Sequence, residues 1–263
     1  MKIEFLYPQG KTKALTFSYD DGQIFDRKLV EIFNYFGVKG TFHLNSGLLN
    51  QDGFVTGEEL RKLYSGHEVS CHGVSHKYLR HISNTQFIKE IWDDRISLEQ
   101  LSGELVLGMS YAFGEYSDEI VQRLQSLGIR YARTVESTQS FAIPGDFMRW
   151  RPTCHHNDNI LEKAEIFLNP PDYMKCPLFY IWGHSFEFEK DQNWHIIEAF
   201  CKKIAFQSDV WYATNLEIEG YLSAVRNLTF NVEETICLNN SAYSVWLKHG
   251  DKNIEVKPGK NSL

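Results

Sequence analysis

Three features that would indicate other classes of protein are missing from this sequence. Its 263 residues contain no uncharged apolar run long enough for a transmembrane helix. The first residues, MKIEFLYPQGK, lack the apolar core and cleavage site of a signal peptide. The net charge of −7 argues against a nucleic-acid-binding protein, because phosphates require a basic surface. We therefore expect a cytoplasmic protein that binds neither nucleic acid nor membrane.

Cysteine is sparse and widely spaced. The absence of a CxxC pair argues against a cysteine-rich zinc site, and an odd count of five argues against a full disulfide framework. We predict reduced, mostly buried thiols, as in a cytosolic protein. The cysteines are Cys71, Cys154, Cys176, Cys201 and Cys237.

Strand-like and helix-like segments alternate along most of the chain. Residues 26–36, for example, place their apolar side chains on one helical face before Gly37, and they lie between strand-like segments at 13–19 and 40–45. This alternation predicts an α/β fold with a parallel sheet and right-handed crossovers. One barrel of this kind can fill the length of the chain. Residues 136–177 show no clear pattern apart from a possible helix at 158–168.

The last part of the chain has a different pattern. Residues 227–263 consist of short strand-like segments joined by turns. We predict two parts, a barrel at 1–226 and a small β-rich C-terminal extension at 227–263, which is either packed on the barrel or a separate module. The final residues, 257–263, are expected to be frayed.

The first chemical signal is the stretch KALTFSYDDG, residues 13–22. An apolar, β-prone run ends there in Asp20, Asp21 and Gly22, which predicts a buried strand that carries two carboxylates at its C-terminal end. Neighbouring strand residues point to opposite faces, so both carboxylates share a cavity only if the backbone turns, and Gly22 permits such a turn. Taken alone, the stretch fits a strand followed by an acidic turn equally well.

A pair of histidines four residues apart gives the second signal. His72 and His76 lie across a glycine-containing turn at the end of a predicted strand, residues 67–72. Two imidazoles and one carboxylate form the three-ligand site of a catalytic zinc ion, with one position left for water. With ten histidines in the chain, one such pair could arise by chance. The strand-terminal Asp20 and Asp21 make a metal site the stronger interpretation.

Together, TFSYDDG and CHGVSH resemble the first two motifs of the polysaccharide deacetylases, the NodB-homology carbohydrate esterases, which read TFDDG and H-S/T-x-x-H. The resemblance extends over roughly residues 12–215 and implies a distorted (β/α) barrel. It also implies that Asp21, His72 and His76 hold one divalent metal ion, zinc or alternatively cobalt or another transition metal. Asp20 would be the catalytic base.

The third family motif, R-x-P-Y/F-G, is altered in this chain. Its counterpart is SYAFG, in which Phe113 and Gly114 match, whereas Ser110 stands where the family has arginine. In the family that arginine orients the catalytic aspartate. We predict that Arg133, at the next strand end, takes over this role; an ordinary surface salt bridge is the alternative. The resemblance also implies that the backbone N–H of Phe113 stabilises the oxyanion.

The later motifs match less closely. The fourth motif has no clear counterpart, although Glu136 could partly replace it. The fifth matches IWGH at residues 181–184, which implies that His184 is the general acid. Glu187 follows three residues later and is a candidate for orienting His184. A core histidine is the alternative for His184.

Several aromatic side chains near strand ends are candidates for stacking on sugar rings, although aromatic residues also dominate cores. They are Tyr19, Tyr111, Phe113, Trp182, Trp211 and Tyr212. Among them, Tyr111 and Trp182 are predicted substrate-binding residues together with Arg133. The tandem His155-His156 is interpreted as part of a structural loop, with a place along the substrate groove as the alternative.

The resemblance implies a metal-dependent hydrolase that removes acetyl groups from a carbohydrate by attack of a metal-activated water. The bond broken would be a non-peptide C–N bond or an ester, and the partner an acetylated carbohydrate. Two alternatives remain open because the third and fourth motifs are eroded. One is a hydrolase of a non-sugar amide or cyclic C–N bond on the same fold, and the other is an inactive glycan-binding barrel.

Overall fold

The computed structural model describes residues 3–263, and fourteen strands and eight α-helices lie within that range. The strands are β1 (Ile3–Leu6), β2 (Lys13–Asp21), β3 (Gly40–Leu44), β4 (Glu68–Cys71), β5 (Gly108–Ser110), β6 (Tyr131–Arg133), β7 (Cys154–His155), β8 (Leu178–His184), β9 (Val210–Tyr212), β10 (Thr229–Phe230), β11 (Ile236–Asn239), β12 (Val245–His249), β13 (Lys252–Val256) and β14 (Gly259–Ser262). The helices are α1 (Asp26–Phe36), α2 (Leu60–Leu63), α3 (Asn84–Ser102), α4 (Asp118–Ser126), α5 (Ile160–Leu168), α6 (Ser185–Lys190), α7 (Trp194–Ile204) and α8 (Asn215–Arg226).

The central sheet is parallel and runs in the order β6-β5-β4-β3-β2-β8-β7, with β9 paired to the first residues of β2. The two edges of this sheet are bridged by one segment. Trp150 pairs with Arg133 of β6, and β7 pairs with Ile181 and Trp182 of β8. Residues 150–155 therefore span the gap between the edge strands. This arrangement confirms the predicted distorted (β/α) barrel.

Two apolar clusters hold the fold together. The first lies between the sheet and the surrounding helices, where Phe17 packs against Phe33 and Phe200. The second includes Trp150, Tyr180 of β8 and Tyr221 of α8, together with apolar residues of the C-terminal strands. These residues pack α8 and the C-terminal strands against the barrel. The strand ends that carry Asp20 and His184 lie outside both clusters.

The C-terminal strands form two antiparallel sheets of three strands, in the orders β1-β12-β13 and β10-β11-β14. Strand β1 comes from the other end of the chain, so Ile3–Leu6 pairs with the C-terminal extension. The expectation of a frayed end is wrong, since Gly259–Ser262 pairs with β11 along its length. The division into 1–226 and 227–263 remains a prediction.

Most predicted elements lie within a few residues of those observed, and the differences are local. Residues 191–206 are predicted to form one helix, and α7 covers 194–204 of that range. Helix α6, which ends at Lys190, was not predicted, and Gln192, whose φ is +51°, lies between the two helices. All five cysteines are free and buried, as predicted. Among the described residues, no helix is both long and apolar enough to cross a membrane.

Candidate active site

The two adjacent aspartates end β2 and face the same cavity. Asp20 pairs in register with His43 of β3 and His184 of β8. Asp21 has a φ of +80°, so the backbone turns at Asp21 itself and continues turning at Gly22. As a result, His72 Nε2 lies 3.9 Å from Asp20 Oδ2 and 3.6 Å from Asp21 Oδ1. A non-glycine residue in this conformation costs about 1–3 kcal/mol, so the surrounding contacts must fix it.

Asp21, His72 and His76 bring together the donor set of a divalent metal site. His76 Nε2 lies 3.8 Å from Asp21 Oδ1, and the three ligand atoms lie within 4.8 Å of one another. His72 Nδ1 is 3.0 Å from the carbonyl oxygen of Ser110. Since a carbonyl oxygen only accepts, Nδ1 carries the proton and Nε2 keeps its lone pair toward Asp21. Two imidazole nitrogens and one carboxylate fit a three-ligand zinc-type site.

Helix α3 holds the loop between the two histidines through two buried carboxylates that the sequence analysis missed. Asp94 accepts the backbone N–H groups of His72 and Gly73, at 3.2 and 3.0 Å. Glu90 accepts the backbone N–H of Ser75 at 2.6 Å. Both acids lie on the buried face of α3. Two acids four residues apart on an otherwise apolar helical face could have identified them from the sequence.

Arg133 contacts Asp20 directly. Its side chain is 0% exposed, and its guanidinium donates to Asp20 Oδ2 and lies 4.4 Å from the Trp182 ring. Burial alone would raise the pKa of Asp20, but the Arg133 guanidinium and then His72 hold that pKa well below its usual range. The other oxygen of Asp20 accepts a hydrogen bond from Ser110 Oγ at 3.1 Å. A surface salt bridge for Arg133 is therefore excluded.

His184 ends β8 opposite Asp20, and Glu187 lies beside it. The His184 Nδ1 is 3.4 Å from Glu187 Oε2, and the same oxygen accepts the backbone N–H of His184 at 3.1 Å. Burial lowers the pKa of His184, but Glu187 and then Asp20 outweigh this effect and raise it above its ordinary value. The arrangement favours a protonated imidazole next to the carboxylate of Asp20.

Phe113 lies near His76. Its ring is 48% exposed and lies 4.4 Å from the ring of His76. Tyr78, which the sequence analysis did not single out, stacks face to face on Phe113 at 3.7 Å. These two rings form an aromatic pair beside His76. Trp182 is partly exposed and packs between Arg133 and His155.

Two other predicted residues lie away from the site. Tyr111 is 1% exposed, and its hydroxyl donates to the carbonyl oxygen of Met148 at 2.8 Å. The predicted substrate-binding role of Tyr111 is therefore wrong, because the ring is part of the core. Glu136 is a surface residue whose carboxylate accepts a hydrogen bond from Tyr116 at 3.3 Å.

Comparisons with known proteins agree with the observed fold. The family model described as polysaccharide deacetylase matches residues 7–132. No curated protein sequence matches the chain. A putative polysaccharide deacetylase from Mycobacterium smegmatis is 18% identical, with a TM-score of 0.62 over 84% of this chain and 93% of that one.

Other solved structures are similar over much of the chain. A family 4 acetyl xylan esterase from Clostridium thermocellum, solved in complex with a cobalt ion, is 16% identical, with a TM-score of 0.54 over 78% of this chain and 90% of that one. The peptidoglycan deacetylase PdaC from Bacillus subtilis is 18% identical, with a TM-score of 0.54 over 79% and 90% of the two chains. In contrast, the match spans only 44% of a longer polysaccharide deacetylase from Bacillus cereus. At these identities the structures show a shared fold, and over residues 7–132 the sequence is similar to the polysaccharide deacetylases.

Proposed function

We propose that this protein is a metal-dependent hydrolase that removes acetyl groups from a carbohydrate, through an amide or an ester bond. The observation that carries the proposal is the position of Asp20. Its carboxylate is buried, paired with Arg133 and placed within 3.9 Å of the His72 nitrogen that faces Asp21. The names of the similar proteins, which include a peptidoglycan deacetylase and an acetyl xylan esterase, support a carbohydrate substrate.

Asp21, His72 and His76 would hold the metal ion. A divalent ion there supplies Lewis acidity, which lowers the pKa of water and polarises the acetyl carbonyl. Two imidazoles and a carboxylate suit zinc or cobalt, and binding affinity alone does not decide which metal is used in the cell.

Asp20 is suited to remove the proton from the attacking water. A general base must be ionised and held within hydrogen-bond reach of that proton. The charge of Arg133 keeps Asp20 ionised, and Arg133 and Ser110 each fix one carboxylate oxygen. The base is therefore oriented before substrate arrives, which lowers the entropic part of the barrier.

His184 is suited to protonate the leaving group. It is paired in register with Asp20 on the neighbouring strand, roughly 4.8 Å away, so base and acid are brought to the same cavity. Water adds to the acetyl carbon, the C–N or C–O bond breaks, and His184 gives its proton to the departing amine or alcohol. The Phe113 N–H would donate to the oxyanion.

Exchange of Asp20 for asparagine tests the assignment of the base. Asp20→Asn keeps the shape of the side chain but cannot accept the proton, so kcat on an acetylated glycan should fall by about 10²–10⁴-fold. Bound metal, counted by elemental analysis, should be unchanged. Glu136→Gln, which alters an exposed carboxylate next to Tyr116, is the matched control and should keep full activity. Full activity of Asp20→Asn on every substrate that is hydrolysed would show that the base is misassigned.

The contact between Arg133 and Asp20 also bears on the two alternatives. Both were motivated by the eroded third and fourth motifs, and Arg133 supplies the support for Asp20 that the third motif lacks. A screen of acetylated glycans against small cyclic amides separates them. If only cyclic amides are hydrolysed, the proposed substrate class is wrong. If no substrate is hydrolysed and the purified protein holds no stoichiometric metal, the protein is a binding protein.

A further inference from the structure

A second group of ligand-type side chains lies close to His184. His155 ends β7, His156 follows it, and Glu187 lies in α6. The Nε2 atoms of His155 and His156 lie 3.1 and 3.3 Å from Glu187 Oε2. The three ligand atoms are all within 4.8 Å of one another. We call these three residues the His-His-Glu cluster; its two histidines take no part in the function proposed above.

The buried histidine of this cluster lacks hydrogen-bond partners. His156 is 1% exposed, and within residues 3–263 neither of its ring nitrogens makes a hydrogen bond. A buried polar group without a partner costs about 1–3 kcal/mol, so it calls for an explanation. His156 Nε2 lies close to Glu187 Oε2, but the two atoms do not have the geometry of a hydrogen bond. A ligand between these two atoms would satisfy the nitrogen.

The ring of His156 is also fixed in place. It stacks on Phe188 at 4.1 Å and on Tyr19 at 5.8 Å. A Cβ atom added at Gly183 would lie 2.1 Å from His156 Nδ1, so the ring occupies space that only glycine leaves free. The side chain is therefore held toward Glu187 before anything binds.

The distances in the cluster fit a transition-metal ion. Ligands about 2.0–2.1 Å from a tetrahedral ion are separated by roughly 3.3 Å. The two separations from Glu187 Oε2, 3.1 and 3.3 Å, are close to this value. Imidazole and carboxylate donors suit zinc or cobalt, whereas calcium and magnesium prefer oxygen ligands.

Binding through His155 requires one local change. The backbone N–H of Asn157 donates to His155 Nδ1 at 3.3 Å, at an exposed position. Ligation through Nε2 places the proton of the neutral ring on Nδ1, so this long hydrogen bond is given up to water when the ion binds.

We propose that His155, His156 and Glu187 form a second site for a divalent transition-metal ion. The ion ties the segment that closes the barrel to α6. Because His184 Nδ1 lies 3.4 Å from the same Glu187 oxygen, the site also fixes the position of His184. The role is structural, and the cluster shares no residue with the Asp21, His72 and His76 group.

Counting bound cobalt tests this proposal. Metal-stripped full-length protein is titrated with Co²⁺ alone and followed by visible absorption, and the bound ions are counted by elemental analysis after gel filtration. The wild type should bind two ions, His155→Ala one, His76→Ala one, and the double variant none. His155 and His76 are both partly exposed, so neither substitution opens the core. His195→Ala, at an exposed position of α7, is the matched control and should bind two.

The outcomes separate the two sites. If wild type and His155→Ala bind the same number of ions, the second site does not exist. One ion that is lost in His155→Ala and kept in His76→Ala would support the second site and contradict the metal centre of the proposed function. Glu187→Gln removes the charged ligand while keeping the side-chain volume, and it should also reduce the count from two to one. A count of two for Glu187→Gln would overturn the proposal.

Discussion

Asp20 and Glu68 are two buried carboxylic acids at opposite ends of parallel strands, and their surroundings shift their pKa values in opposite directions. Asp20, at the end of β2, is paired with the Arg133 guanidinium, which holds its pKa well below the usual range despite burial. Glu68, at the start of β4, is buried among neutral donors, and burial raises its pKa to about 7. The end of the barrel that carries the candidate site thus keeps a charged carboxylate, and the opposite end keeps a carboxylic acid that is easily neutralised.

The number of hydrogen bonds does not explain this difference. Glu68 accepts three, from Tyr131 at 2.6 Å, from Thr41 at 3.0 Å and from the backbone N–H of Leu216 at 2.9 Å. Asp20 accepts one from neutral Ser110 and one from Arg133. A full positive charge therefore has a larger effect than several neutral donors, as expected where the dielectric constant is low.

Removing that positive charge should give the largest effect on stability. Arg133→Met leaves Asp20 as a buried charge without a partner, so the free energy of unfolding should fall by about 3–5 kcal/mol. Urea unfolding at pH 7 measures it. The double variant Asp20→Asn, Arg133→Met removes both charges and should recover part of the loss. If the losses of stability in the two single variants simply add in the double variant, Asp20 and Arg133 are not coupled. The charge of Arg133 would then not explain the difference between Asp20 and Glu68.

Replacing Glu68 should change the pH dependence of stability. The pKa of Glu68 is about 7 in the folded protein and near 4.5 when unfolded, so its contribution is complete below pH 4.5 and is lost as the pH rises through 7. Between these limits the stability of wild type should fall by about 3 kcal/mol more than that of Glu68→Gln. Urea unfolding across pH 4.5–8 tests the slope, and taking the difference cancels the other titrating groups. If the stability of wild type and of Glu68→Gln changes with pH in parallel, the raised pKa of Glu68 is contradicted.

Ser110 should give the smallest effect. Ser110→Ala removes the neutral hydrogen bond to Asp20 Oδ1 and the hydrogen bond that Ser110 Oγ accepts from His72 Nδ1 at 2.6 Å, while the Ser110 carbonyl still accepts from His72. The free energy of unfolding should fall by about 1 kcal/mol, well below the effect of Arg133→Met. Ser126→Ala, which removes an exposed hydrogen bond to the Gln122 carbonyl, is the matched control and should change little. A loss as large as that of Arg133→Met would mean that hydrogen bonds from neutral donors stabilise the Asp20 carboxylate as much as the charge of Arg133 does.

Local sequence patterns predicted much of the fold. The bounds of α1 follow from an apolar face that Gly37 ends, and they were predicted to the residue. Strands β1, β7 and β14 were missed because they are short and are defined by distant partners. Ile3, for example, pairs with His249, and no local pattern records such a pairing.

The candidate site was predictable where several of its residues lie together in a short sequence motif. Asp20, Asp21, His72 and His76 sit in dense motifs, and the missing third-motif arginine pointed to Arg133. Hydrogen bonds from the backbone to buried side chains could not be predicted. No sequence pattern shows from which backbone N–H groups the carboxylates of Glu90 and Asp94 accept. Position at a strand end also misled for Tyr111, since the ring turns into the core.

The pairing of β1 with β12 has a consequence for how the chain is made. Ile3–Leu6 pairs with Trp246–His249, so β1 is synthesised long before its partner strand and stays unpaired until β12 has been made. Contacts between such distant residues form slowly, since a long loop must close first. Until then the edge of β1 is open to other chains, which is a hazard of incomplete β-sheets. The synthesis of β12, rather than the folding of the barrel, therefore decides when β1 is protected from aggregation through this edge.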